Sequence, residues 1–234
     1  MLDTAKIRAI TFDLDDTLWP IWPTIERAEK ALADWLCAQA PMTAALFANA
    51  HARHDIRQQV LQQLPDIAHD LSAVRREAIR LTLTRAGEDP SLAEPAFEVF
   101  FAERNRVTLF DDVLPALDWL ARRYPLVAIS NGNADLERVG LAAWFKGGIS
   151  ASRFGVAKPH ASIFQAGADL AGVAVHEVLH VGDDAHHDVI GARDAGMQAV
   201  WVNRAEHLWT DTSHQPHDSI AELGELCDLL STTN

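Results

Sequence analysis

Ile7-Arg8-Ala9-Ile10-Thr11-Phe12-Asp13-Leu14-Asp15-Asp16-Thr17-Leu18-Trp19 decides how this chain is read. An apolar run from Ile7 to Phe12 stops at three carboxylates within four positions, Asp13, Asp15 and Asp16. The run predicts a buried strand, which places Asp13 and Asp15 at its carboxyl end. In an open α/β sheet that edge is where ligands bind. Carboxylates crowded there repel one another unless a cation lies between them, so the cluster predicts a bound metal. The competing explanation is a polar turn, for which Asp-Asp-Thr is well suited.

Three later segments resemble the first. Leu126-Val127-Ala128-Ile129 runs into Ser130-Asn131-Gly132-Asn133, Val178-Leu179-His180-Val181 runs into Gly182-Asp183-Asp184, and Ala199-Val200-Trp201-Val202 follows Gly196. Each is short and apolar and lies between helical patterns, which predicts a parallel sheet buried on both faces. A helix is expected to begin near Asp111 and to turn Leu114, Leu117, Leu120 and Ala121 inward. Ser162 to Ala171 and Asp184 to Ala195 are expected as crossover helices.

Residues 21–106 have a different character. Strand-like runs are almost absent, and apolar residues recur at helical spacing, as in Ile25, Ala28, Leu32, Trp35 and Leu36. Pro41, Pro65, Gly87, Pro90 and Pro95 divide the stretch into about four helices. The expected organisation is an α/β catalytic core, residues 1–20 and 107–234, with a helical cap of residues 21–106 inserted after the first strand. The core is a Rossmann-like parallel sheet.

The composition narrows the function. The chain has 234 residues, 48% of them apolar, which is enough for a sizeable core. Its net charge of −13, from 33 acidic and 20 basic residues, disfavours broad binding to nucleic acid or to an anionic membrane. No run approaches the roughly 18 apolar residues of a membrane span. The first ten residues lack a secretory layout, and the two cysteines, Cys37 and Cys227, suggest reduced thiols, so a cytoplasmic protein is expected. It is expected as a monomer or homodimer. Cys37 lies in a helical pattern and is expected in the core.

Polar residues close successive strands: Asp13 and Asp15, then Ser130 and Asn131, then Asp183 and Asp184. Lys158, in Val156-Ala157-Lys158-Pro159, precedes a helix. A parallel sheet brings these groups to one edge. Carboxylates for magnesium (Mg2+), hydroxyl and amide donors, and one ammonium form a set suited to phosphoryl transfer. Taken singly, Ser130 and Asn131 could cap a helix, Asp183 and Asp184 could do the same, and Lys158 could be a solvated side chain. His51-x-x-His54 and His186-His187 lack partners for a zinc set and are expected at the surface. Trp19 and Trp22 leave the acidic loop. Either they pack at a junction or they form an aromatic wall of a substrate pocket.

These motifs, in this order, resemble the haloacid dehalogenase-like hydrolases, most of whose members are phosphatases. Phe12 to Leu18 resembles the first motif, Ile129-Ser130-Asn131 the second, Lys158-Pro159 the third, and Gly182-Asp183-Asp184 with Asp188 the fourth. The resemblance implies Asp13 as a nucleophile forming an aspartyl phosphate and Asp15 as the acid and base. It implies Ser130, Asn131 and Lys158 on the phosphate, and Thr17 as a brace for the nucleophile loop. Magnesium would be held by Asp13, the backbone carbonyl of Asp15, and Asp183, with Asp188 or Asp184 in support. The substrate implied is a small phosphorylated metabolite. Dehalogenases of the superfamily resemble this pattern without an acid at the position of Asp15. A non-catalytic phosphate sensor on the same fold is a further alternative, against which the intact Asp13/Asp15 pair argues. Segments Pro125–Ala134 and Glu177–Asp184, with Gly196–Ala199, resemble the superfamily's bacterial phosphatases that act on a ribitylaminouracil phosphate in riboflavin synthesis. Some of those also accept flavin mononucleotide. Substrate choice in the superfamily is expected to come from the cap.

Overall fold

The computed structural model describes residues 1–211 and 214–231. The chain divides into two compact units, one of residues 1–20 and 108–234 and one of residues 21–107. The first contains a six-stranded sheet, β1 (Ala9–Phe12), β2 (Leu126–Ser130), β3 (Gly147–Ser150), β4 (Val178–Gly182), β5 (Gln198–Val202) and β6 (Asp218–Ile220). The order is β3-β2-β1-β4-β5-β6, and every pairing is parallel. The fold is therefore α/β, as expected. The first strand takes only Ala9–Phe12 of its apolar run, and a helical turn, Thr4–Lys6, precedes the run.

Strands β1, β2, β4 and β5 are buried along their whole length. On one face, Ala9, Val127, Ile129, Val178 and Ala199 pack with Ile163, Phe164 and Ala168. The last three come from the crossover helix following the Lys158 loop, Ala161–Ala171. Each large side chain so buried contributes about 1.5–3 kcal/mol. The helix Val113–Ala121 precedes β2 and buries Val113, Ala116, Leu117 and Leu120. Leu114 is exposed and so is Ala121, contrary to the inner face assigned from the sequence. The true stripe begins one residue earlier, and its 3–4 spacing runs through Val113, Ala116 and Leu120.

Two strands were not expected. β3 contains Gly147-Gly148, and β6 contains only three residues, one of them apolar. Both are edge strands with one neighbour each. Gly148 lies close to a neighbour, since a Cβ there would come within 3.0 Å of Leu136 Cδ1. The expected crossover helix from Asp184 is split into a π-helical turn, Ala185–Ile190, and a short α-helix, Gly191–Asp194.

The second unit is helical. Five α-helices, Ile21–Gln39, Pro41–Phe47, Ala50–Gln63, Leu71–Ala86 and Ala93–Arg104, replace the four that the sequence suggested. Asn49 and Asp70 cap two of them by accepting backbone N–H groups. Ala28, Leu32 and Leu36 pack against Ile79, Leu83, Ala96, Phe97 and Phe100. Arg75 lies 3.7 Å from the Phe100 ring centroid and forms a 2.7 Å ion pair with Glu29. Cys37 is exposed and not in this core. Among the described residues, no helix is long and apolar enough to cross a membrane.

Candidate active site

β1 and β4 lie side by side where the strand order reverses, and their carboxyl ends carry Asp13 and Asp183. Register sets Phe12 opposite Val181, and the Asp13 N–H donates to the Val181 carbonyl at 2.9 Å. Asp13 is thus fixed at the first position beyond its strand. This is the crevice at which open α/β sheets bind ligands.

Lys158 reaches the same point from the loop before Ala161–Ala171. Its Nζ lies 2.5 Å from Asp13 Oδ1 and 2.6 Å from Asp188 Oδ1, and the side chain is almost wholly buried. Asn131 holds the lysine from behind. Its amide donates to the Lys158 carbonyl at 3.0 Å, and its carbonyl accepts the Lys158 N–H at 2.7 Å. The Asn131 side chain is therefore engaged with the lysine loop. Ser130 is buried, and its hydroxyl accepts the Gly132 N–H at 3.0 Å.

Asp188, not Asp184, joins the carboxylate group. Carboxylate oxygens of Asp13, Asp183 and Asp188 lie within 4.8 Å of one another. Asp184 instead caps the π-helical turn, accepting the His186 and His187 N–H groups at 2.8 and 2.7 Å. That turn carries Asp188 back under the end of β4, where its Oδ2 accepts the Asp184 N–H at 2.9 Å. Gly182 makes the approach possible. A Cβ at Gly182 would lie 2.3 Å from Asp188 Cγ.

Thr17 donates to Asp183 Oδ1 at 2.9 Å, linking the loop after β1 to the end of β4. Its carbonyl accepts from Arg204, which also pairs with Asp112 at 2.9 Å. Asp16 holds a left-handed backbone, φ 57°, in the turn between Asp15 and Thr17. The Trp19 indole N–H donates to Asp15 Oδ1 at 2.9 Å, and Trp19 is fully buried. Trp22, in the other unit, is 70% exposed.

The electrostatics are those of a cation site. Burial is the largest influence on Asp13 and raises its pKa well above the usual range; Lys158 opposes it, while Asp188 and Asp183 add to it. Burial and then the Asp188 charge push Asp183 up to about 7. Asp188 is also buried, but Lys158 and His180 outweigh that and hold it ionised, well below the usual carboxylate range. Lys158 is raised above its ordinary value because Asp13 and Asp188 outweigh burial. Two buried carboxylates, Asp13 and Asp188, and the half-buried Asp183 against one ammonium form a group that a hard divalent cation with oxygen ligands would stabilise. The donor set fits magnesium.

Three neighbours of the site were not singled out from the sequence. His180 lies inside β4 with Nε2 3.2 Å from Asp188 Oδ1 and Nδ1 2.8 Å from Thr11 Oγ1. Burial lowers its pKa, so the ring is neutral. Trp201 donates its indole N–H to the Asp183 carbonyl at 2.6 Å, and Arg204 braces Thr17. A polar residue within an apolar strand, His180 beside Thr11 in register, was the available signal. The histidines expected at the surface, His51, His54, His186 and His187, are exposed.

The signature of the haloacid dehalogenase-like hydrolases matches residues 7–196. The chain is similar to the 5-amino-6-(5-phospho-D-ribitylamino)uracil phosphatase YigB of Escherichia coli, with 36% identity over 96% of this chain and 97% of that one. It is also similar to a phosphoserine phosphatase of Thermus thermophilus, 37% identical over 56% of this chain and 55% of the other. A crystal structure described as a 2-haloacid dehalogenase from Pseudomonas syringae superposes with a TM-score of 0.92 at 38% identity, over 97% of this chain and 100% of that one. The chain belongs to the haloacid dehalogenase-like hydrolase family.

Proposed function

We propose that this hydrolase is a magnesium-dependent phosphomonoesterase that works through an aspartyl phosphate at Asp13. The observation that carries the reading is the Lys158 ammonium shared between Asp13 and Asp188 at the ends of β1 and β4. A buried cation touching the nucleophile's carboxylate is placed to take phosphoryl oxygens as charge builds on them.

In the first step an Asp13 carboxylate oxygen attacks phosphorus, the ester P–O bond breaks, and Asp15 gives its proton to the leaving oxygen. In the second, water attacks the same phosphorus and gives a proton to Asp15. Inorganic phosphate leaves and the Asp13 carboxylate is restored. Ser130 would offer its hydroxyl to the phosphate, and Asn131 would act by fixing Lys158. Asp13, the Asp15 carbonyl and Asp183 would hold magnesium, with Asp188 beside them. When bound, the ion would offset charge on the carboxylates and on the phosphoryl oxygens.

The relatives named as phosphatases support a phosphoric monoester substrate. The likeness to YigB along nearly the whole chain favours a ribitylaminouracil phosphate, with flavin mononucleotide as a related candidate. The dehalogenase description of a close structural neighbour gives a second reading. Chemistry weighs against it: a halide leaves without a proton, whereas an alkoxide needs one, and a carboxyl at Asp15 would have no task in halide release. Phosphate and halide release should be measured across a panel of flavin precursors, flavin mononucleotide, sugar phosphates and 2-haloacids. Preferred hydrolysis of the flavin precursor supports the proposal. Halide release without phosphate release overturns it, and a flat phosphate profile removes the flavin assignment alone.

A further inference from the structure

We infer that His180 is a positioning residue, which through Asp188 keeps Lys158 directed at the nucleophile throughout the reaction; this rests on the phosphatase reading above. The inference starts from a chain of buried contacts: Thr11 Oγ1 to His180 Nδ1 at 2.8 Å, His180 Nε2 to Asp188 Oδ1 at 3.2 Å, Asp188 Oδ1 to Lys158 Nζ at 2.6 Å, and Lys158 Nζ to Asp13 Oδ1 at 2.5 Å. Every member is buried.

The direction of the hydrogen bonds follows from what each group can do. Asp188 is an ionised acceptor, so His180 Nε2 carries the hydrogen and donates. A neutral ring then leaves Nδ1 as an acceptor, and the Thr11 hydroxyl donates to it. The ring plane is held as well, because Phe164 packs edge-on against His180 at a centroid distance of 5.1 Å. Thr11 and His180 are register partners on β1 and β4, so the two strands that carry Asp13 and Asp183 also build this support.

The Asp188 carboxylate is consequently fixed on three sides, by His180 and Lys158 on Oδ1 and by the Asp184 N–H on Oδ2. That matters when Asp13 becomes an acyl phosphate. Its carboxylate charge is then gone, and Lys158 loses one of its two anionic partners. Asp188 is the remaining carboxylate in contact with the ammonium. Without the imidazole N–H, Asp188 could rotate toward a bound cation, and Lys158 would lose its aim at the phosphoryl oxygens. A buried acceptor held by several donors resists such movement far more than one held by a single donor.

The test uses Thr11→Val/His180→Leu, which removes both ends of the Thr11–His180 hydrogen bond together and so leaves no unpaired group between them. His180→Gln is the companion, since its amide can place a donor near the position of Nε2. In steady-state kinetics with the best phosphate ester of the panel, the double variant should lose tenfold or more in kcat with KM within about twofold. His180→Gln should recover most of the loss. A readout independent of turnover is the Lys158 ammonium signal in ¹⁵N-lysine-labelled protein, assigned with Lys158→Arg. It should be sharp and protected in the wild type and in His180→Gln, and broadened or lost in the double variant. A folded double variant with unchanged kcat and an unchanged Lys158 signal overturns the inference, as does a His180→Gln variant no better than the double variant. If no phosphate ester is turned over by the wild type, the functional reading fails, and the Lys158 signal alone still decides the positioning role.

Discussion

The Trp19 indole N–H donates to Asp15 Oδ1 at 2.9 Å from a fully buried side chain four residues downstream. The proposed acid and base therefore accepts a hydrogen bond from a neighbour that the sequence suggested only as junction packing or a pocket wall. Trp19→Phe keeps most of the buried aromatic surface and removes the donor. It should lower kcat on the order of tenfold to a hundredfold, the range expected when a reacting group is left free to misplace itself. KM should change little. Steady-state kinetics beside a thermal unfolding curve checks this, and a stable Trp19→Phe enzyme of wild-type kcat contradicts it.

Asp188 and Asp184 lie in one motif but do different work. Asp188→Asn replaces an ionised partner of Lys158 and should cost a hundredfold or more in kcat, with some loss of stability. Asp184→Ala removes the acceptor for two backbone N–H groups at the start of the π-helical turn. It should cost about 0.5–2 kcal/mol of stability and little kcat. Kinetics and denaturant titration of the two variants separate the roles. Equal losses of kcat would contradict the assignment.

Magnesium binding should release protons below neutral pH. Burial and the Asp188 charge push Asp183 up to about 7 in the metal-free protein, and a metal-bound carboxylate must be ionised. Apparent magnesium affinity should therefore fall as pH falls from 8 to 6, approaching tenfold per unit for each proton displaced. The sign for stability is opposite to that of a salt-bridged carboxylate. With its folded pKa above its unfolded value, Asp183 favours the folded state at low pH, and this contribution is lost as pH rises from about 4 through 7. Magnesium should then raise Tm more at pH 8 than at pH 6. Calorimetric titration in two buffers of different ionisation enthalpy measures the protons, and pH-independent affinity would contradict the cluster as the metal site.

What the sequence conveyed follows burial. β1, β2, β4 and β5 are interior strands, so both faces demand apolar residues and the runs stand out. β3 and β6 are edge strands, and Gly147, Gly148, Asp218 and Ser219 carry no such demand. Asp13, Lys158 and Asp183 were legible because carboxylates and an ammonium at strand ends have a restricted chemistry. The residues supporting them were legible only in part, as at Thr17. His180 lies in an apolar strand, Trp19 and Trp201 are aromatic side chains that act through a single N–H, and which of Asp184 and Asp188 turns inward depends on a π-helical turn that periodicity does not show. Cys37 was misassigned because a helical pattern does not by itself say which face is buried.

If Asp13 carries the phosphoryl group, rapid acid quench of the enzyme during turnover should trap it there. Peptide mass spectrometry should find one phosphoryl group on the peptide containing Asp13, labile to hydroxylamine, and absent from Asp13→Asn, which should release no phosphate. Phosphate release by Asp13→Asn, or a phosphorylated intermediate located on any other residue, would contradict the account.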